Sequence, residues 1–272
     1  MAFKIGFSAE AGDNISNEDP LRTEPANETA PRRSVVQVYF ASRDMTLAYY
    51  NDRFDLHRGD TVYVDGKLEG HLGRVTEVNY NFKIKLSYYK RVIGVADTNV
   101  HGRFFAAGSH FVTFDRAALP KEKALSWFKA PSLDDDEYVS GYDDSSFPLD
   151  DLKEMNISPE IAKRGNDYYT ENKVRYISLD GTDGYAIVEG TECYEVEFTY
   201  SRGQISRLTC SCYCSGSCKH EFAAMLQLRE TLELITKQYA DEYGRTDYFA
   251  AVNKGTLFAF AVDGKTDGSF EL

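Results

Sequence analysis

From Ser34 onward, apolar and polar positions alternate in short bursts separated by turn-forming residues. VVQVYF, TLAYY and TVYVDGKLEGHLGRVTEV follow one another, with Asp65-Gly66 and Glu69-Gly70 as turn signals. KIKLSYY, RVIGVA, GRFFAAG and HFVTF carry the pattern on to Phe114. Short strands at close spacing, joined by glycine turns, predict a small barrel or curled sheet over residues 34–130. Residues 1–33 read as a flexible leader. Their stretch 12–33 is polar, holds three prolines and shows no hydrophobic period.

The second half opens on Ser158-Pro159, an N-cap followed by proline at the first helical position. The helix it starts is expected to run to about Glu171, with Ile161, Gly165, Tyr168 and Tyr169 near one face. Strands VRYISL, YAIVE and CYEVEFTY follow. In the last, Tyr194, Val196, Phe198 and Tyr200 alternate with Cys193, Glu195, Glu197 and Thr199, which marks a sheet with one buried face. Ser201-Arg202-Gly203 turns the chain into ISRLTC. Near the C-terminus TLFAFAV reads as a further strand, and Asp263-Gly264 as a hairpin turn after it. The expected class is α+β, with domains at 34–130 and 152–272 joined by the acidic stretch 131–151.

Charge sharpens this division. The net charge is −12, yet residues 31–130 hold 16 Lys and Arg against 10 Asp and Glu, while 131–150 hold seven acids and no base. Any nucleic-acid affinity therefore belongs to the basic first domain. There, Lys83, Lys85, Lys90 and Arg91 interleave with Tyr80, Phe82, Tyr88 and Tyr89. Cations beside aromatics on a small β-domain suit single strands, with phosphates held electrostatically and bases stacked. Lys83, Lys85, Tyr88, Tyr89, Lys90 and Arg91 are the candidate contacts. The same pattern also fits an ordinary sheet with core aromatics and solvated lysines. The acidic stretch reads as a solvated linker, or as a mask for the basic domain.

No apolar run approaches the roughly 20 residues of a membrane span, and the N-terminus lacks the long apolar stretch of a signal peptide. Four of the five cysteines lie between Cys210 and Cys218. A secreted disulfide framework would spread them out, so the expected setting is a reducing cytoplasm and the expected chemistry a metal site.

The segment CSCYCSGSCKHEFAAMLQLRETLELI supplies the ligands. On an extended strand Cys210 and Cys212 project to one face. A loop over residues 213–217, eased by Gly216, can return Cys218 and His220 opposite them. Beyond His220, Phe222, Met225, Leu228, Leu232 and Ile235 fall at helical spacing. Three thiolates and an imidazole in a tetrahedron are what zinc takes. Cys214 leaves open an alternative frame of Cys212, Cys214, Cys218 and His220, whereas Cys193, far off in sequence, reads as a free thiol. Four ligands leave no open coordination position, so a structural zinc and no catalytic one is expected. Glu221 beside His220 suits the start of a helix.

From Ile157 to Ile235 the chain resembles the SWIM zinc finger: the helix IAKRGNDYYTENKV, hairpin strands, C-x-C, a spacer, C-x-H and an alanine-rich helix. The resemblance places the family's ligands on Cys210, Cys212, Cys218 and His220. It implies binding of DNA or protein. VVQVYF and DLHRGDTVYVDGKLEGHLGRVTEV also resemble the DNA-end-binding domain of primosomal helicases.

The remaining signals are slight. Residues 259–266, AFAVDGKT, match a permissive phosphate-loop pattern but lack its glycine-rich start, so no nucleotide is expected. His57, His71, His101 and His110 show no ligand spacing and are expected on the surface or in a barrel wall. No catalytic constellation is present, so no enzymatic activity is expected. The readings carried forward are a zinc-binding module that contacts DNA or RNA, a protein–protein adaptor, and an accessory region of a longer helicase-like enzyme.

Overall fold

The computed structural model describes residues 32–82, 88–131, 146–214, 216–262 and 271–272, and residues 4–7 and 268–270 by their backbone. The protein is α+β, built on two antiparallel sheets and a third, small sheet. It divides into two compact units.

The first unit holds strands β2 (Ser34–Phe40), β3 (Met45–Asn51), β4 (Thr61–Val64), β5 (Leu72–Asn79) and β6 (Val92–Ala96). Their order is β3-β2-β5-β4-β6, all neighbours antiparallel. Period-two alternation in β2 turns Val36, Val38 and Phe40 inward, where they meet Tyr49, Val62 and Val75. Gly73 on β5 lets these side chains close in, since a Cβ there would lie 2.3 Å from Val38 and 2.8 Å from Phe40. The edge strands β3 and β6 approach through one bridge, Tyr50 to Arg91, with the Tyr50 N–H donating to the Lys90 carbonyl at 2.8 Å. Of the two expected forms, the sheet takes the curled one; it does not close into a barrel.

The second unit is organised by an eight-stranded sheet of order β10-β14-β13-β12-β11-β15-β9-β8. It comprises β8 (Phe105–Ala107), β9 (His110–Thr113), β10 (Phe147–Pro148), β11 (Val174–Asp180), β12 (Asp183–Glu189), β13 (Cys193–Ser201), β14 (Gln204–Cys210) and β15 (Tyr248–Asn253). The 20-residue helix α3 (Lys219–Gln238) covers one face with Ala223, Ala224, Met225, Leu228 and Ile235. Helix α2 (Pro159–Thr170) begins as expected, with Ser158 Oγ accepting from the Ile161 N–H at 3.2 Å. The turn at residues 201–203 is a tight hairpin with Arg202 and Gly203 at φ 51° and 81°.

Four expectations are corrected. The division falls between Asp97 and Thr98, not near residue 130, because β9 pairs with β15, matching Val112 to Ala251. Of the acidic stretch, residues 132–145 lie outside the described residues, but Phe147 and Leu149 are buried and β10 pairs with β14, so the stretch is structured before residue 151. TLFAFAV is not a strand: helix α5 (Lys254–Ala261) takes it, capped by Asn253 Oδ1 on the Thr256 N–H at 3.3 Å. Phe260 then stacks on Trp127 with centroids 5.0 Å apart. Finally, β1 (Lys4–Phe7) lies within the expected leader and joins a three-stranded sheet of order β1-β16-β7, with β7 at His101–Arg103 and β16 at Gly268–Glu271. Residues 8–31 and the turn expected at Asp263-Gly264 lie outside the described residues.

Candidate metal centre

Strand β14 and the start of α3 deliver the two halves of the centre. At the end of β14, Ser211 is held to β13 on both sides: its N–H donates to the Glu195 carbonyl and its Oγ accepts from the Glu195 N–H, each at 2.9 Å. This fixes the strand end that carries Cys210 and Cys212. After the loop, Cys218 is the N-cap of α3 in extended conformation, with φ −123° and ψ 171°.

A reciprocal capping box sets that corner. The Cys218 sulfur accepts from the Glu221 N–H at 3.5 Å, and Glu221 Oε2 accepts from the Cys218 N–H at 2.7 Å. Glu221 is buried, so its carboxylate does more than suit the helix dipole: it clamps the backbone of a candidate ligand. The pattern Cys-x-x-Glu ahead of an apolar helix was the available signal, with sulfur in the place serine usually takes.

Cys210, Cys212, Cys218 and His220 are all buried, and their ligand atoms lie within 4.8 Å of one another. His220 Nδ1 stands 3.7 Å from both Cys210 Sγ and Cys218 Sγ. A tetrahedral ion with metal–sulfur bonds near 2.3 Å and metal–nitrogen near 2.0 Å would separate nitrogen from sulfur by about 3.6 Å. The four residues therefore fit one metal ion, approached through Nδ1 of the imidazole. The ring is fixed by Tyr194, stacked on it with centroids 4.0 Å apart, and by Tyr168 of α2, edge-on at 5.5 Å. Its Nε2 is buried with no hydrogen-bond partner among the described residues. Neither tyrosine carried a ligand-type signal in the sequence; both read as members of apolar stripes.

The thiols shape the electrostatics. The Cys218 thiol is pulled down by hydrogen bonding from Cys210, and further by His220 and the Glu221 N–H. Cys210 is pushed up by the same Cys218 neighbour and by burial, and Cys212 by burial and the Cys218 charge. Without an ion the cluster thus stabilises one thiolate at the expense of the others. A central cation satisfies all three at once.

Cys214 is exposed and outside this group, so the alternative frame is not the one assembled. Cys193 is half-buried and also outside it, its thiol pushed up to about 12 by burial and by Glu189.

Close approach of α2 to α3 completes the support. Gly165 is the contact: a Cβ there would lie 2.8 Å from Phe222 Cδ1 and 2.9 Å from the Lys219 carbonyl. This brings Tyr168 to His220.

The candidate nucleic-acid contacts are less concentrated. Lys83 and Lys85 lie outside the described residues. Tyr88 is 78% exposed, Lys90 is exposed and Tyr89 half-buried. Arg91 pairs with Asp52 at 3.5 Å, lies over the Tyr50 ring, and donates its backbone N–H to Asp65 Oδ1. Arg32, not anticipated, sits 4.6 Å above the ring of Tyr80.

Among the other histidines, His110 is wholly buried, neither on a surface nor in a barrel wall. Its Nε2 donates to the Val174 carbonyl and its Nδ1 accepts from Ser109 Oγ, each at 2.9 Å. No helix among the described residues is long and apolar enough to cross a membrane. No family model matches the chain, and no curated protein or solved structure is significantly similar to it.

Proposed function

We propose that the protein is a zinc-stabilised binding module of the SWIM type, without catalytic chemistry at the metal, that engages nucleic acid through its first unit. One observation carries the metal half: three buried cysteines and an imidazole converge on a single point from a strand end and a helix start. The donor set favours zinc, since soft thiolates with one imidazole in a tetrahedron suit it over hard-oxygen metals. Four protein ligands fill the tetrahedron and leave no position for water or substrate. Zinc would then act as a staple, fastening β14 to α3.

Nucleic-acid binding is supported by exposed aromatics beside cations, with Tyr88 next to Lys90 and Tyr80 beneath Arg32. Bases stack on such rings while phosphates meet the cations. The test is a salt titration of the full zinc-loaded chain against labelled single-stranded DNA, duplex DNA and RNA. Three or four phosphate contacts to a single strand give a slope of log affinity on log salt of about −2 to −3. Tyr88→Ala should weaken single-strand binding by about 1–3 kcal/mol, the contribution of one stacked base. Absence of binding at low salt would overturn the nucleic-acid half.

A second reading has its own observation. Met45 and Leu47 are 40% and 39% exposed on β3, an edge strand bridged on its outer side, among the described residues, only at Tyr50. A protein partner adding a strand there would bind with little dependence on salt.

A further inference from the structure

A cavity of about 670 Å³ lies on the face of the eight-stranded sheet opposite α3. Its floor is made by β11 to β14, and its wall by Arg116 and residues 120–122. That size falls within the usual range for small-ligand sites, about 300–1,000 Å³. Nothing in the metal centre or in the first unit uses it.

Three features mark it as more than a gap in the packing. Tyr248, only 5% exposed, lines it with a buried hydroxyl that lies near the Tyr176 hydroxyl but makes no well-formed hydrogen bond among the described residues. Burial pushes that phenol up to about 12, which keeps it a donor. A buried donor without a good acceptor is unfavourable, and a ligand oxygen would relieve that.

The second feature is Arg207. Between the pairs Glu197↔Thr209 and Thr199↔Ser206 the ladder slips by one residue, and Arg207 takes a left-handed φ of 52° there. Such a bulge normally uses glycine, and an arginine held in that conformation stores strain. At this bulge Arg207 lines the cavity.

The third is charge of both signs. Arg116 and Asp180 neutralise each other, joined at 2.6 Å. Arg207, Asp183 and Glu197 all line the cavity, yet none makes an ion pair among the described residues. Asp183 pairs with Thr199 across β12 and β13, and Glu197 is two residues along the same strand, so both carboxylates share one face. Arg207 stands on the far side of β13, on β14.

From these we infer that the cavity binds a short zwitterionic peptide, its free amino terminus at Asp183 and its carboxylate at Arg207. The span decides the length. Two strand spacings separate β12 from β14, about 9.6 Å. Extended chain covers about 3.3–3.6 Å per residue, so two or three residues reach across. Tyr248 is left to donate to a peptide carbonyl or the carboxylate.

The test is thermal-shift and calorimetric titration of the full, metal-loaded chain with dialanine and trialanine. Alanine, N-acetyl-trialanine, trialanine amide and glucose serve as comparators. Trialanine at a hundredfold excess over its Kd should raise Tm by about 5 °C or more. Blocking either end should weaken binding about tenfold, one charge-assisted hydrogen bond's worth. Arg207→Gln should erase the difference between trialanine and its amide while leaving the preference for a free amino end. Asp183→Asn should do the converse. These side chains are exposed, so the variants should fold, with wild-type Tm in the absence of ligand. Failure of both peptides to bind, equal binding of the blocked forms, or binding of glucose alone would each overturn the inference.

Discussion

Cys218 has two roles that one substitution can separate. It is a candidate ligand, and it is the N-cap of α3, with its sulfur accepting the Glu221 N–H. Serine is a better cap than cysteine but a poor zinc ligand, and alanine is neither. In chelator, Cys218→Ser should therefore match or exceed the wild-type Tm, whereas Cys218→Ala loses about 1 kcal/mol of capping, or roughly 2–4 °C for a unit of this size. With zinc the ranking inverts. Wild type at a hundredfold excess of free metal over its Kd gains about 2.7 kcal/mol, hence about 5–10 °C, and both variants lose most of that gain. Metal content by atomic emission should fall from one ion per chain to well below one in each. The assay is parallel thermal denaturation with and without chelator. If Cys218→Ser keeps full metal and full stability, the ligand role fails. If it loses as much as alanine in chelator, the capping argument fails.

His220→Ala should likewise abolish metal binding and lower the stability of the second unit, read by metal content and Tm. Gly165→Ala should cost about 1–3 kcal/mol in denaturant unfolding, because the new methyl meets the Lys219 backbone carbonyl, which has little room to move. Burial lowers the pKa of His110 from 6.5 to about 4. The folded state thus resists a proton that the unfolded chain accepts, so stability is complete above about pH 6.5 and falls toward pH 4 by roughly 1.4 kcal/mol per unit. His110→Gln should flatten that part of the wild-type profile, and an unchanged slope would show that other groups govern it.

The candidate metal centre was legible because its chemistry is local. Four ligands fall within eleven residues, and strand and helix periods say how each presents its side chain. Cys214 could be set aside only once the loop had a path, which leaves it exposed. Hairpin turns and the Ser158 cap were legible for the same reason. What escaped depends on distant partners. HFVTF reads as a strand, but nothing in its pattern says that it pairs with a segment some 140 residues away, so the unit boundary was misplaced. TLFAFAV is apolar at nearly every position, and such a run fits a buried strand or a buried helix equally. Asn253, just upstream, decided it by capping. Phe147 and Leu149 were hidden among aspartates whose charge dominated the reading.

The pairing of β9 with β15 also bears on the order of assembly. The candidate ligands close loops of only a few residues, whereas β9 must wait for β15 to be made, and long loops close slowly and late. On a ribosome, the cysteines and His220 emerge and can capture an ion while β8 and β9 still lack their neighbour. During that interval β9 has a free hydrogen-bonding edge, carried by the apolar sequence HFVT, that could pair with another nascent chain. Early metal capture does not shorten this interval; only synthesis through Asn253 ends it.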